Sequence, residues 1–368
     1  MVLKKLGGTL SSRKLTNILI TGGAGFIGSN FIDYLFNKIG FKGNIINVDK
    51  LTYAGNMENL VHIEQKYGKK GERRYFFEKT DIVDYENLNK VFSKYDIDTV
   101  IHFAAESHVD RSIHGPKEFI ETNIIGTFNL LEIVRKLWQG REDVVFHHIS
   151  TDEVYGSLGE TGFFYEDTSY DPKSPYSASK ASSDHLVNAY NHTYNLPVTM
   201  SNCTNNYGAL QFPEKLIPIM INNMLEEKPL PVYGDGLNIR DWLYVEDHCS
   251  GIWKIVNNGK IGETYNIGGE NEWTNIDLLN NLCEIVAKKN NKEKDYYKKL
   301  ITFVKDRAGH DRRYAINCDK IKIELNWKQS VTFDEGLDIT VDWYLNNTSW
   351  IENIKSGEYQ KWIEKNYE

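Results

Sequence analysis

The sequence predicts an α/β fold: a doubly wound parallel sheet with a smaller α/β domain towards the C-terminus. Five short apolar stretches have the length of buried strands: Asn17–Ile20, Asn44–Val48, Thr99–Phe103, Val144–Ile149 and Val198–Met200. Segments with helical spacing of apolar residues lie between them. Strands that are apolar throughout and alternate with helices indicate a parallel sheet covered on both faces. After about residue 207 the alternation ends in a proline-punctuated region, which predicts a second unit.

The composition is that of a globular protein larger than one small module. The chain has 368 residues, 40% of them hydrophobic, and a net charge of −8, which disfavours general nucleic-acid binding. No apolar run approaches the roughly 20 residues of a membrane-spanning helix, and the N-terminal stretch lacks the apolar core of a secretory signal. The four cysteines are too widely spaced in sequence for a zinc site. We therefore expect a cytoplasmic protein with no metal and neither a nucleic acid nor a membrane as partner.

A glycine-rich turn follows the first predicted strand. Gly23, Gly25 and Gly28 form a GxGxxG pattern, and with Gly22 the turn also fits the GxxGxxG spacing of dehydrogenases. The next strand ends at Asp49. Strand, glycine turn, helix and acidic residue in this order predict a dinucleotide site of the Rossmann type, with the pyrophosphate at the helix N-terminus. Because a carboxylate repels a 2′-phosphate, NAD is favoured over NADP, although the lysine after Asp49 leaves this preference less certain.

A second group of residues indicates proton transfer at a hydroxyl group. Tyr176 and Lys180 form a YxxxK pair, and residues four apart share one face of a helix. A lysine ammonium beside a phenol, with a bound nicotinamide ribose, lowers the pKa of the phenol and makes it a proton acceptor. The strand Val144–Ile149 leads into Thr151, at the edge of the sheet where such folds bind ligands. Thr151 and Tyr176 can then hold one substrate hydroxyl between them.

These motifs resemble those of the extended short-chain dehydrogenase/reductases, and the chain is most similar to their nucleotide-sugar 4,6-dehydratases, above all those that act on dTDP-glucose. Nine family-like blocks occur in order: TGGAGFIGSN (21–30), HFAAESHVDRS (102–112), STDEVYG (150–156), YSASK (176–180), NNYG (205–208), FPEKLIP (212–218), VYGDGLNIRDWLYVEDH (232–248), YNIGG (265–269) and GHDRRYAI (309–316). The resemblance therefore extends from about Asn17 into the C-terminal region.

The resemblance implies a reaction with no net redox change, in a hydro-lyase of deoxysugar and rhamnose biosynthesis. Tyr176, helped by Thr151, accepts the proton of the C4 hydroxyl while a hydride passes from C4 to retained NAD. Glu153 is implied as the base at C5, and Asp152 as the acid for the departing C6 hydroxyl. Hydride then returns to C6, which produces a 4-keto-6-deoxy sugar.

The resemblance also places binding residues. For the cofactor they are Gly22, Gly25, Phe26, Ile27, Gly28, Asp49, Lys50, Thr52, Asp81, Ile82, Phe103, Ala104, Ala105, Ser107, Thr122, Ser150, Tyr176, Lys180 and Asn205. For a nucleotide-diphosphate hexose they are Ser107, His108, Thr151, Asn206, Lys215, Leu216, Pro231, Tyr233, Arg240, Asn275, Arg307 and His310. Arg313 is a further candidate for contact with the diphosphate.

We divide the chain into a flexible extension (1–16), an NAD-binding Rossmann domain (17–206, with a return segment near 241–270) and a nucleotide-sugar domain (207–240 and 271–368). Homodimers are usual in the resembling family, and a homodimer is expected here. Three alternatives stay open: the same dehydration of UDP-glucose or another nucleotide hexose, C4 epimerisation without dehydration, and a binding protein that retains NAD without catalysis. The last alternative is disfavoured because all the predicted catalytic residues are present: Thr151, Asp152, Glu153, Tyr176 and Lys180.

Overall fold

A computed structural model describes residues 13–306 and 311–355. Predicted substrate residues Arg307 and His310 lie outside these ranges, as does most of the predicted N-terminal extension. In the described residues the strands are β1 (Asn17–Thr21), β2 (Asn44–Asp49), β3 (Tyr75–Lys79), β4 (Thr99–His102), β5 (Val145–Thr151), β6 (Val198–Cys203), β7 (Asn205–Tyr207), β8 (Leu230–Tyr233), β9 (Ile239–Tyr244), β10 (Thr264–Ile267), β11 (Glu272–Thr274) and β12 (Ile301–Val304).

The helices cover both faces of the main sheet and build the second unit. The α-helices in the described residues are α1 (Phe26–Asp33), α2 (Val61–Tyr67), α3 (Tyr85–Lys94), α4 (Val109–His114), α5 (Pro116–Phe119), α6 (Thr127–Leu137), α7 (Pro175–Tyr194), α8 (Leu216–Leu225), α9 (Val245–Asn258), α10 (Asn275–Lys289), α11 (Asp319–Leu325), α12 (Phe333–Asn346) and α13 (Thr348–Lys355). Within the same described ranges, π-helical segments occur at Tyr34–Ile39 and Ile120–Gly126, and 3₁₀ turns at Met57–Leu60, Asp152–Tyr155 and Lys298–Leu300. No helix in the described ranges combines the length and apolar character needed to span a membrane.

The main sheet has seven parallel strands in the described chain, in the order β10-β6-β5-β4-β1-β2-β3. The chain runs outwards from β1 through β2 to β3 and then crosses back to β4. Strand order therefore reverses between β1 and β4, and a crevice opens there at the carboxyl ends of the strands. This sheet confirms the predicted fold class, and the predicted strand β5 extends further than expected, to Thr151.

The sheet is apolar on both faces because helices cover both. Ile18, Ile20 and Ile101 belong to the core on one face, while Leu19 and Val100 belong to the core on the other. Alternate residues of one strand thus serve two cores, as the period of two in a strand requires. This double burial explains why the strands read as continuous apolar runs in the sequence.

The C-terminal unit has its own core. A three-stranded sheet in the order β11-β9-β7 and the pair β12-β8 pack with α8, α10 and α12 around buried Leu278, Leu282 and Leu337. The chain leaves this unit through β9 and α9 and returns to the main sheet as β10, beside β6. The predicted return segment near 241–270 therefore holds α9 and β10, and the domain division itself stays a prediction.

Residues 13–16, which the sequence assigned to the extension, are hydrogen-bonded to the body of the protein. The Arg13 guanidinium donates to the carbonyl oxygens of Ile255, Val256 (2.7 Å) and Gly259, at the end of α9. The backbone N–H of Thr16 donates to Asp98 at 2.8 Å. Contacts with the body of the protein are therefore made by described residues that precede β1.

Candidate active site

The segments that follow β1 to β6 at the carboxyl edge of the main sheet line one cleft, together with residues in and after β7 of the second sheet. A second cleft, towards the C-terminal unit, shares part of its lining with the first: Ser107, Glu153, Asn205, Glu214 and Lys215. The catalytic group predicted from the sequence lies at the first cleft, and Glu153 reaches both. The fold therefore brings motifs that are far apart in sequence to one place.

The glycine turn after β1 needs glycine because backbone passes close to it. Gly22 has a φ of +71°, and a Cβ atom there would lie 2.7 Å from the backbone nitrogen of Ala104. A Cβ atom on Gly28 would lie 2.3 Å from the carbonyl oxygen of Gly22. Asp49, at the end of β2, accepts hydrogen bonds from the N–H groups of Ala24 (3.0 Å) and Leu51 (2.8 Å) and so braces the turn. Burial raises the pKa of Asp49.

We expect Gly28→Ala to reduce the amount of bound NAD by at least roughly tenfold, because overpacking of about 1–3 kcal/mol must be relieved by moving the turn. The measurement is the NAD released by acid from the purified protein. Gly159→Ala is the matched control, since no atom lies within 4 Å of a Cβ placed there. Full NAD content in Gly28→Ala would show that the turn does not hold the dinucleotide.

The catalytic loop begins where β5 ends. Thr151 caps the 3₁₀ turn Asp152–Tyr155: its Oγ1 accepts from the N–H of Glu153 at 3.3 Å and donates to Oδ1 of Asp152 at 3.3 Å. Asp152 is 2% exposed, and its Oδ2 has no hydrogen-bond partner among the described residues. Burial, followed by the charge of Glu153, raises the pKa of Asp152 well above its usual value. The raised pKa favours the protonated form of Asp152, the form that a proton donor requires.

Tyr176 and Lys180 lie on the first turns of α7. Ser174 and Ser177 form a capping box that starts this helix, with Pro175 as its first residue. Burial, followed by the charge of Glu153, raises the pKa of Tyr176 well above its usual value, while a hydrogen bond with Thr151 lowers it. The Lys180 ammonium donates to the carbonyl oxygen of Ile149 at 2.7 Å. Tyr176 and Thr151 thus lie next to each other in the first cleft, and their joint binding of one substrate hydroxyl stays a prediction.

Every residue of the predicted cofactor-binding set lines the first cleft. The lining includes the glycine turn, Asp49 as the last residue of β2, Asp81 two residues after β3, and Tyr176. Lys50 pairs with Asp81 at 3.5 Å and donates to Thr122 at 3.3 Å. These residues fit a dinucleotide, because close-packed glycines leave backbone N–H groups for a pyrophosphate beside the start of α1.

The predicted substrate residues divide between the two clefts. Thr151 and Asn206 line the first, and most of the others line the second: Ser107, His108, Lys215, Leu216, Pro231, Tyr233, Arg240 and Asn275. The guanidinium of Arg240 lies over the ring of Tyr314, 4.5 Å from its centroid. Arg313 is elsewhere: it makes a two-point contact with Glu272, at 2.5 and 2.8 Å, and lines neither cleft. The sequence could not distinguish it from a phosphate-binding arginine, because its partner is 41 residues away.

Sequence reasoning missed several residues of the clefts. Glu106 and Glu214 are buried carboxylates in their linings, and Tyr53 and Tyr314 are aromatic wall residues. Burial raises the pKa values of both glutamates. Both lie inside blocks that carry the family resemblance, HFAAESHVDRS and FPEKLIP, so the blocks themselves were the available signal.

Comparison with known proteins gives a consistent result. Residues 19–340 match the family model described as GDP-mannose 4,6 dehydratase. The chain is 55% identical over 365 residues to the dTDP-glucose 4,6-dehydratase of Escherichia coli, covering 95% of this chain and 99% of that protein. It is also similar to a crystal structure of the Bacillus anthracis dTDP-glucose 4,6-dehydratase in complex with NAD (46% identity, TM-score 0.81, 92% of this chain and 100% of that one). The DesIV dTDP-glucose 4,6-dehydratase of Streptomyces venezuelae, with NAD and TYD bound, matches at 41% identity and a TM-score of 0.83, over 92% and 100%.

Proposed function

This chain belongs to the GDP-mannose 4,6 dehydratase family, and on that premise we propose that it is an NAD-dependent hydro-lyase converting dTDP-glucose to dTDP-4-keto-6-deoxyglucose. One observation of the structure carries the chemistry: a buried carboxyl group with a raised pKa, Asp152, adjoins Glu153 beside the Tyr176 phenol. Elimination of water requires an acid and a base close to a group that oxidises the neighbouring carbon. Nothing beyond the tyrosine, the hydroxyl and the lysine is needed for epimerisation alone.

The proton transfers of the proposed reaction are assigned to individual side chains of this protein. Bound NAD supplies a hydride acceptor for C4 and later a hydride donor for C6. Tyr176 accepts the proton of the C4 hydroxyl, and Thr151 holds that hydroxyl in place. Once C4 is a ketone, the C5 proton is acidic and Glu153 removes it. Asp152 donates its proton to the C6 oxygen, which leaves as water, and Glu153 returns a proton to C5.

The second cleft supports the assignment of a nucleotide-sugar diphosphate as substrate. Lys215 and Arg240 provide positive charge there, and Asn275 and Tyr233 provide polar groups at its far wall. Arginine and lysine side chains suit diphosphate oxygens. The net charge of −8 is no obstacle, because the field that steers an anion is that of the cleft and not of the whole molecule.

We expect the purified protein to convert dTDP-glucose to a product lighter by one water, with slower or no conversion of UDP-, CDP- and GDP-glucose. Mass spectrometry of the four reactions gives both the reaction and the nucleotide preference. A product of unchanged mass would indicate the 4-epimerase alternative. If UDP-glucose were converted faster than dTDP-glucose, the proposed dehydration would stand and the proposed nucleotide would be wrong.

We also propose a cytoplasmic homodimer. Exposed apolar side chains recur on the segment from α4 to α6: Ile113, Ile120, Ile125, Phe128 and Leu137, each more than 40% exposed. Burial of such a row against a second copy of the chain is a common solution for an exposed apolar surface.

A further inference from the structure

The ammonium group of Lys180 is buried, and a buried charge requires a compensating partner. Lys180 is 4% exposed. Its Nζ donates to the carbonyl oxygen of Ile149 at 2.7 Å and lies 3.4 Å from Nε2 of His148. Burial lowers the pKa of Lys180. A carbonyl oxygen and a neutral ring do not balance a positive charge, so the source of the negative charge has to be found nearby.

Asp184 is the carboxylate in that position. It follows Lys180 by one turn of α7, so both side chains lie on the same face of the helix. Asp184 is 0% exposed, and its Oδ1 lies 3.1 Å from Nε2 of His148. Its Oδ2 accepts hydrogen bonds from the hydroxyl groups of Ser150 (2.6 Å) and Tyr170 (3.0 Å). The same histidine nitrogen is therefore close to both the ammonium and the carboxylate.

The charges of the two residues act on each other in the expected sense. Asp184 is the charge that most raises the pKa of Lys180, and Lys180 is the charge that most lowers the pKa of Asp184. Burial raises the pKa of Asp184 to about 6, so the group is ionised at neutral pH. Burial and Lys180 lower the pKa of His148 well below its usual value, and the ring is neutral.

Lys180, His148 and Asp184 form a buried cluster, and each element packed against this cluster contributes further titratable groups. They are His102 on β4, His147 on β5, Tyr155 and Tyr170 on the catalytic loop and the segment after it, His185 on α7, and Cys203 on β6. Asp152 and Glu153 act instead on Tyr176. Among the described groups, Asp184 is thus the carboxylate whose charge acts on Lys180.

We propose that Asp184 is a positioning residue for this active site: as the buried counter-ion of Lys180, with His148 between them, it keeps the ammonium charged and in place. The proposal rests on the proposed function, in which the charge of Lys180 makes the Tyr176 phenol more acidic. Asp184 does not reach the clefts: it lines neither of them, so it acts only through Lys180.

The first test is the pH dependence of NADH formation in a single turnover with dTDP-glucose, followed by absorbance. In Asp184→Asn the side chain keeps its shape and loses its charge, which lowers the pKa of Lys180 and raises that of Tyr176. The rising limb of the profile is expected to move to higher pH by about one unit, with KM unchanged. Tyr190→Phe is the control, because it removes a phenol oxygen from the same helix that is bonded to Glu132 and lies outside both clefts; its profile is expected not to move. An unshifted limb in Asp184→Asn overturns the proposal.

The second test is a double-mutant cycle with Lys180→Met. We expect Asp184→Asn to slow NADH formation on the order of tenfold when Lys180 is present and hardly at all when it is absent. Thermal unfolding of the same four proteins tests the pairing without a measurement of activity. The double variant is expected to lose less stability than the two single variants lose in sum, since no charge is left unpaired. Additive effects on the unfolding temperature, or a double variant that fails to fold, overturn the proposal. A wild-type protein that forms no NADH with any nucleotide-glucose would instead refute the proposed function, and the unfolding cycle would still decide the pairing.

Discussion

Replacing Tyr176 with phenylalanine is expected to reduce the first hydride transfer on the order of 10³-fold. The phenol oxygen accepts the proton of the C4 hydroxyl, and phenylalanine has no atom that can do so. The phenol is only 8% exposed, so solvent hydroxide has little access to a proton held against it. The measurement is NADH absorbance in a single turnover with dTDP-glucose.

The control for this variant is Tyr190→Phe, which removes a phenol oxygen from the same helix. The Tyr190 hydroxyl donates to Glu132 at 2.7 Å and lines neither cleft. We expect normal NADH formation in the control and normal NAD content in both variants. A Tyr176→Phe protein with full NAD content and a wild-type rate would assign the proton to another acceptor.

Glu153→Gln and Asp152→Asn are expected to spare oxidation at C4 and to block the loss of water, each on the order of 10²–10⁴-fold. Neither side chain is needed to accept the C4 proton, but each supplies one half of the elimination. Asp152 must hold a proton before it can donate one, and burial, followed by the charge of Glu153, raises its pKa and so favours the protonated form. NADH is expected to accumulate in both variants, while the product lighter by one water does not form.

Reactions in deuterium oxide separate the two carboxyl groups. In Glu153→Gln, deuterium is not expected to enter C5, because the base is gone. Glu160→Gln is the control, since it removes a carboxylate from an exposed loop residue outside both clefts. Deuterium arriving at C5 of the sugar at the normal rate in Glu153→Gln would exclude Glu153 as the base.

Much of the candidate site could be predicted from local sequence spacing. The glycines of the turn, Asp49, and the pair Tyr176 and Lys180 act through distances of a few residues along one strand, turn or helix. A strand end and a helix face follow from the periods of two and 3.6 residues, so these positions can be read without knowing what packs against them. The position of β5 before the catalytic loop was predicted for the same reason, with its end misplaced by two residues.

Long-range packing decided where the remaining site residues lie. The sequence could not predict these positions, because they depend on contacts between residues far apart in the chain. Arg313 and Arg240 are both arginines, but their surroundings differ. Arg313 pairs with Glu272, whereas Arg240 lines the second cleft. Glu214 enters the cleft wall from the FPEKLIP block, where its Oε2 accepts from Arg111, 103 residues away.

The sequence by itself predicted the doubly wound fold and the dinucleotide turn, because both depend on residue type and short spacing. The roles predicted for Asp152 and Glu153 came from the family resemblance of the block that contains them. Only the tertiary structure decided which groups are buried. Burial raises the pKa values of Asp152 and Tyr176, and packing brings Asp184 and Lys180 to the same nitrogen of His148. Desolvation is a property of the whole packed interior, and no short segment of sequence specifies it.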